Sequence, residues 1–146
     1  MRLLVILFLI TVSNSLTGQD SLDKMMETFF GQYEMTPVAA VDSLFHSNPY
    51  LREKNPDGVN QVLDRLSTSL TLVGDYRGYE LIATKTVGSR MELRSYLVYY
   101  DRQPIRFLIA FYRVDDRWRL YSFEFNDTIK DELIEAATYY RLPDNY

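Results

Sequence analysis

The 146-residue chain has no cysteine, one histidine and one tryptophan. Lack of cysteine excludes disulfides, thiolate metal sites, a cysteine nucleophile and a lipidated cysteine. With His46 alone, a structural zinc site lacks its usual ligands, and a Ser-His-Asp triad would have to be built on that residue without a G-x-S-x-G elbow. His46 falls near the end of a helical pattern, where a surface or capping histidine suits the helix dipole. No metal and no cofactor are expected. Long apolar runs are lacking too: residues 3–10 form one that falls well short of the ~20 needed to cross a bilayer. Arg2 precedes it and small polar residues follow it to Gln19. Residues 1–19 therefore read as a secretory signal peptide, cleaved somewhere from residue 15 to 19. Residues 20–146 are then a single domain, secreted or periplasmic, with no membrane anchor.

Basic residues are also the minority, sixteen against twenty acidic for a net charge of −4. Loss of Arg2 with the leader makes the mature chain one unit more acidic. Nucleic-acid affinity comes from cations neutralising phosphates, so no nucleic-acid partner is expected. At this length roughly 70% of the unfolded surface can be buried, enough for a core without staples.

What is present falls into helices first and strands second. Leu22, Met25, Met26, Phe29, Phe30 and Tyr33 lie on one helical face behind a cap at Asp20 or Ser21, with Gly31 a candidate for an early end. Thr36-Pro37 opens a second helix with Val38, Val41, Leu44 and Phe45 inward, stopping at Asn48-Pro49. Asn55-Pro56-Asp57-Gly58 reads as a turn, and lacks the alternating acids and closing Glu of a calcium loop. A third helix from Val59 buries Val62, Leu63, Leu66 and Leu70, and Gly74 ends it. Four strands follow at 79–87, 90–100, 105–114 and 117–126, joined by Gly88-Ser89, Arg102-Gln103 and Asp115-Asp116. Thr128 with Asp131 opens a last helix with Ile129, Leu133, Ala136, Ala137 and Tyr140 inward, ended by Leu142-Pro143.

Ten of the twenty-one aromatics lie between Arg90 and Asn126. Counting outward from two-residue hairpins assigns each strand residue a face. The inner face, under the helices, takes Tyr79, Leu81, Ala83, Tyr96, Val98, Tyr100, Ile105, Phe107, Ile109, Phe111, Trp118 and Leu120, along with Arg94, Ser122 and Glu124. The outer face takes Leu97, Leu108, Ala110, Tyr121, Phe123 and Phe125. That strip is too apolar to remain wet, and such patches mark interaction sites. It is expected to pair two copies in a homodimer, with Leu97, Leu108, Tyr121 and Phe123 at the interface.

Helices leading into long antiparallel strands, with the run from Tyr112 to Leu120 crossing the last hairpin and Phe123-Glu124-Phe125 after it, resemble small secreted proteins of the nuclear transport factor 2-like (cystatin-like) superfold. The resemblance implies an α+β cone, with N-terminal helices packed on a four-stranded antiparallel sheet, a pocket between them, and often a dimer. It implies no particular reaction, since that superfold carries isomerases, dehydratases and transport adaptors alike.

Arg94, Tyr96, Ser122 and Glu124 are the polar set on the inner face. A buried carboxylate beside a tyrosine can bind a polar ligand or move a proton. The plainer alternative puts Arg94 and Glu124 at the rims and Tyr96 and Ser122 in the core. Two functions follow. One is a non-catalytic binding module with a small-ligand pocket and a small-molecule or envelope partner; the other is a pocket enzyme, isomerase- or dehydratase-like, using Glu124 and Tyr96. Two arginine groups, Arg102 with Arg106 and Arg113 with Arg117 and Arg119, interleave with aromatics as a site for single-stranded nucleic acid or an anionic glycan would. Asp101, Asp115 and Asp116 offer them local charge balance. Asn126-Asp127-Thr128 matches a glycosylation sequon, though a helix start explains it too.

Overall fold

The computed structural model describes residues 16–139, and the apolar run of the expected signal peptide lies outside them. Five helices and four strands follow in the order α1 (Leu16–Met35), α2 (Pro37–His46), α3 (Pro49–Lys54), α4 (Pro56–Val73), β1 (Tyr76–Val87), β2 (Met91–Tyr100), β3 (Ile105–Val114), β4 (Arg117–Asn126) and α5 (Ile129–Tyr139). The architecture is α+β: N-terminal helices, a four-stranded antiparallel meander in the order β1-β2-β3-β4, and a short closing helix. No described helix is long and apolar enough to cross a membrane.

The helices follow their apolar faces. Leu22, Met26, Phe29, Phe30 and Tyr33 are buried along α1. Gly31 does not end that helix, which runs four residues further; a glycine inside a helix costs only about 1 kcal/mol, less than the aromatic face around it gains. The expected turn at Asn55-Pro56-Asp57-Gly58 is instead the start of α4. Asn55 accepts a hydrogen bond from the Gly58 backbone at 3.0 Å, and Pro56 occupies the first helical position, whose N–H has no use. Asn48 and Pro49 start the short α3 in the same way, although there the Asn48 side chain bonds elsewhere. Gly74 ends α4 with φ at +89°, and Arg102 donates to the carbonyls of Thr71 and Leu72, closing that helix end with a cation.

Strand register decides which residues can meet. Around Asp115 and Asp116, both at positive φ, the two-residue hairpin forms as the sequence indicated, with Val114 opposite Arg117. The first hairpin is one residue longer, since Val87 pairs with Met91; a bulge between Leu81 and Ala83 then returns Leu81 to Tyr96. Pairing of β2 with β3 stops at Val98 and Ile105, two residues short of the tight turn expected at Arg102-Gln103. Pro104 has no N–H for the ladder, and a shift of two leaves every face unchanged. The bulge in β4 does change faces. Phe111 pairs with Leu120 but Ala110 pairs with Ser122, so Tyr121 is an extra residue on its strand.

The inner layer is packed along β2–β4, while Tyr79 and Leu81, expected on the same face of β1, stay 41% and 47% exposed. Phe107, Ile109, Phe111 and Leu120 are each 0% exposed beneath the helices. The last helix differs from its expected role. Arg106 pairs with Glu132 and ties α5 to β3, yet Leu133 and Ile134 stay exposed, because the helix meets the sheet through this charge pair rather than an apolar stripe. Tyr140 and Leu142-Pro143 lie outside the described residues. The outer face is left largely open.

Candidate functional site

Glu92, Arg94 and Tyr96 alternate along β2 and so share the inner face. Arg94 and Glu92 have side chains only 3% exposed, and the Arg94 Nε donates to Glu92 Oε1 at 2.7 Å. Its Nη2 meets Asp23 Oδ1 at 2.6 Å, where α1 passes over the strand. Burial pulls the Arg94 guanidinium down, but hydrogen bonds with Tyr96, Glu92 and Asp23 outweigh it and hold the group above its ordinary value. The charge is therefore permanent and compensated. It fastens the start of α1 to the sheet.

A second polar group lies further along the same face. The hydroxyls of Tyr33 and Tyr100 share a hydrogen bond of 2.5 Å, and the Tyr76 ring meets both residues edge-on. Burial pushes the Tyr100 phenol up to about 12, and burial with Tyr79 nearby does the same for Tyr76. Tyr33 is raised further, by burial first and by Tyr100 second. Tyr96 is raised by burial against the pull of Arg94. These phenols are neutral at physiological pH. They can donate hydrogen bonds and fill space, but they are not poised as bases or nucleophiles.

Of the four residues expected to share a ligand site, the structure brings two together. Arg94 and Tyr96 are neighbours; Ser122 and Glu124 lie on the opposite face, because the Tyr121 bulge inverts the strand beyond it. Glu124 pairs across the sheet with Leu108, whereas Tyr96 pairs with Phe107. A carboxylate and a phenol on opposite faces cannot act on one substrate, so the Glu124–Tyr96 proton-transfer pair is not formed. Glu124 instead borders an open cleft of about 280 Å³ at the end of β4, with Val62, Arg65 and Phe125. The buried carboxylate is Glu92, which was not among the expected site residues. Its signal was its place two residues before Arg94, on the same face of the same strand.

The same inversion moves an expected interface residue. Phe123 is buried on the inner face, edge-on to Phe107 at 5.1 Å and to Phe45 at 6.3 Å. Leu97 and Leu108 remain on the outer face, half-buried, and Tyr121 is 58% exposed. Leu93, Tyr99 and Tyr112 are exposed on that face as well. Among the described residues no three His, Cys, Asp or Glu side chains gather as metal ligands. No family model, curated protein or solved structure matches the chain.

Proposed function

We propose that this is a secreted or periplasmic, non-catalytic interaction module built in the nuclear transport factor 2-like manner, in which two copies meet through the outer sheet face. The observation that carries the reading is the apolar strip of exposed Leu93 and Tyr121 and half-buried Leu97 and Leu108, on the sheet face turned away from the packed layer of Phe107, Ile109 and Phe111. A second copy suits it because a two-fold interface must be self-complementary. Lys85 pairs with Leu93 on β1 and Glu124 pairs with Leu108 on β4, so opposite charges stand at opposite edges of the strip, one cross-strand row apart. Laying β1 of one copy over β4 of the other brings Lys85 near the partner copy's Glu124 and the leucines together.

The test is a charge placed in the middle of the strip. Leu108→Glu should keep the far-UV circular dichroism of the wild type and abolish self-association in light scattering after size exclusion. A Leu108→Glu protein that still elutes as a dimer would remove the outer face from the interface.

A further inference from the structure

A helix start does not account for the Asn126-Asp127-Thr128 sequon. The Thr128 hydroxyl turns back and donates to Asn126 Oδ1 at 3.1 Å, and it is the Thr128 backbone carbonyl that accepts from the Asp131 N–H in the first turn of α5. Among the described residues neither the Asn126 nor the Thr128 side chain has another hydrogen-bond partner, so neither caps the helix. The sequence N-x-Ser/Thr occurs once in the chain, at this junction.

Position suits the sequon to modification. Asn126 is the last residue of β4, opposite Arg106 and one same-face row beyond Leu108 and Glu124, where the strand leaves the sheet. Asp127 and Thr128 are exposed. Because the threonine occupies Oδ1, the Nδ2 amide is free of protein partners among the described residues. The hydroxyl that a sequon requires two residues after its asparagine already faces the carboxamide. Room for a sugar lies on both sides: open clefts of about 180 and 280 Å³ adjoin Asn126, each walled by Phe125 and by Arg65 of α4. Arg65 lies over the Phe125 ring at 5.4 Å, which leaves its outward N–H groups to meet sugar hydroxyls.

We infer that Asn126 is an N-glycosylation site, modified by a membrane-bound oligosaccharyltransferase as the chain is exported. The site depends on the export proposed for this chain, and on no part of the pairing of copies. In the transfer, Asn126 Nδ2 bonds to the anomeric carbon of a lipid-pyrophosphate-linked oligosaccharide. The bond from that carbon to the pyrophosphate oxygen breaks, the lipid pyrophosphate leaves as an anion, and the amide gives one proton to a base of the transferase. No electrons change hands.

The full chain is translated in vitro with rough microsomes, where protection from added protease reads export and peptide N-glycosidase reads the glycan. Expected is a protected, heavier form that the glycosidase returns to the unmodified size, leaving aspartate at position 126 in tandem mass spectrometry. Asn126→Gln and Thr128→Ala should each abolish the heavier form while the chain stays protected, and Thr128→Ser should retain it. A protected chain with no heavier form, or a heavier form that survives Asn126→Gln, overturns the assignment. A chain left open to the protease overturns export itself, and the glycan with it.

Discussion

Ile109 stands opposite Phe123 across the β3–β4 ladder, where uninterrupted pairing from the hairpin would place Ser122. One extra residue, Tyr121, thus puts two phenylalanines, Phe123 and Phe125, in the inner layer and turns Ser122 and Glu124 outward. The bulge settles the division of the sheet into a packed face and an open one.

A protein free of cysteine makes this division directly measurable. Single cysteines introduced at Ser122, Phe123 and Glu124 should react with a maleimide rapidly, slowly and rapidly in turn. Unfolding in urea should agree: Phe123→Ala is expected to cost about 3–5 kcal/mol as a buried aromatic truncation, and Ser122→Ala within about 0.5 kcal/mol as a surface change. The reverse order in either experiment would mean that the bulge is absent.

Much of this arrangement was legible in the sequence, and the part that was misread had left a trace. Strands β3 and β4 have the bounds expected from their alternating residues and from Asp115-Asp116, because a short loop with few conformations fixes both ends at once. Helix faces followed from spacing, as with Phe29, Phe30 and Tyr33. The β4 inversion is written in its apolar residues, which fall at 118 and 120 and then at 123 and 125. That change of phase at Tyr121-Ser122 marks a bulge, which a register set by the hairpin alone does not contain. The open face of α5 was not legible, since Leu133 and Ile134 have helical spacing whether or not anything covers them.

The buried ion pair gives a prediction with two unequal arms. Glu92→Gln leaves a buried guanidinium undercompensated and should cost about 3–5 kcal/mol. Asp23→Asn, at a half-exposed partner, should cost no more than about 1 kcal/mol. Replacing both buried charges with apolar residues, as in Arg94→Met with Glu92→Leu, should recover most of the loss. Chemical denaturation of the four proteins measures all three; equal costs for Glu92→Gln and Asp23→Asn would show that Arg94 is not held as described.

Alkaline pH should unfold the protein through its buried phenols. In the folded state Tyr33, Tyr76 and Tyr100 keep their protons above the ordinary value near 10, with Tyr76 and Tyr100 at about 12. An unfolded chain loses those protons from about pH 10 upward, so it binds fewer protons than the folded one and stability falls as pH rises through that range. Below pH 10 both states hold the protons and this contribution is constant. Absorbance at 295 nm should therefore show exposed tyrosines titrating first and these three only with loss of circular dichroism. Complete titration of all tyrosines near pH 10 in a folded protein would contradict the buried cluster.

The pairing of two copies through the outer face is tested most directly by sedimentation equilibrium of the wild-type protein, made from residue 20 onward, from about 1 to 50 μM, a range that spans the ~1 μM dissociation constant given by ~8 kcal/mol of association. The expected result is a mass that rises to twice that of the protomer within the range. A protomer mass at every concentration would contradict the proposed function.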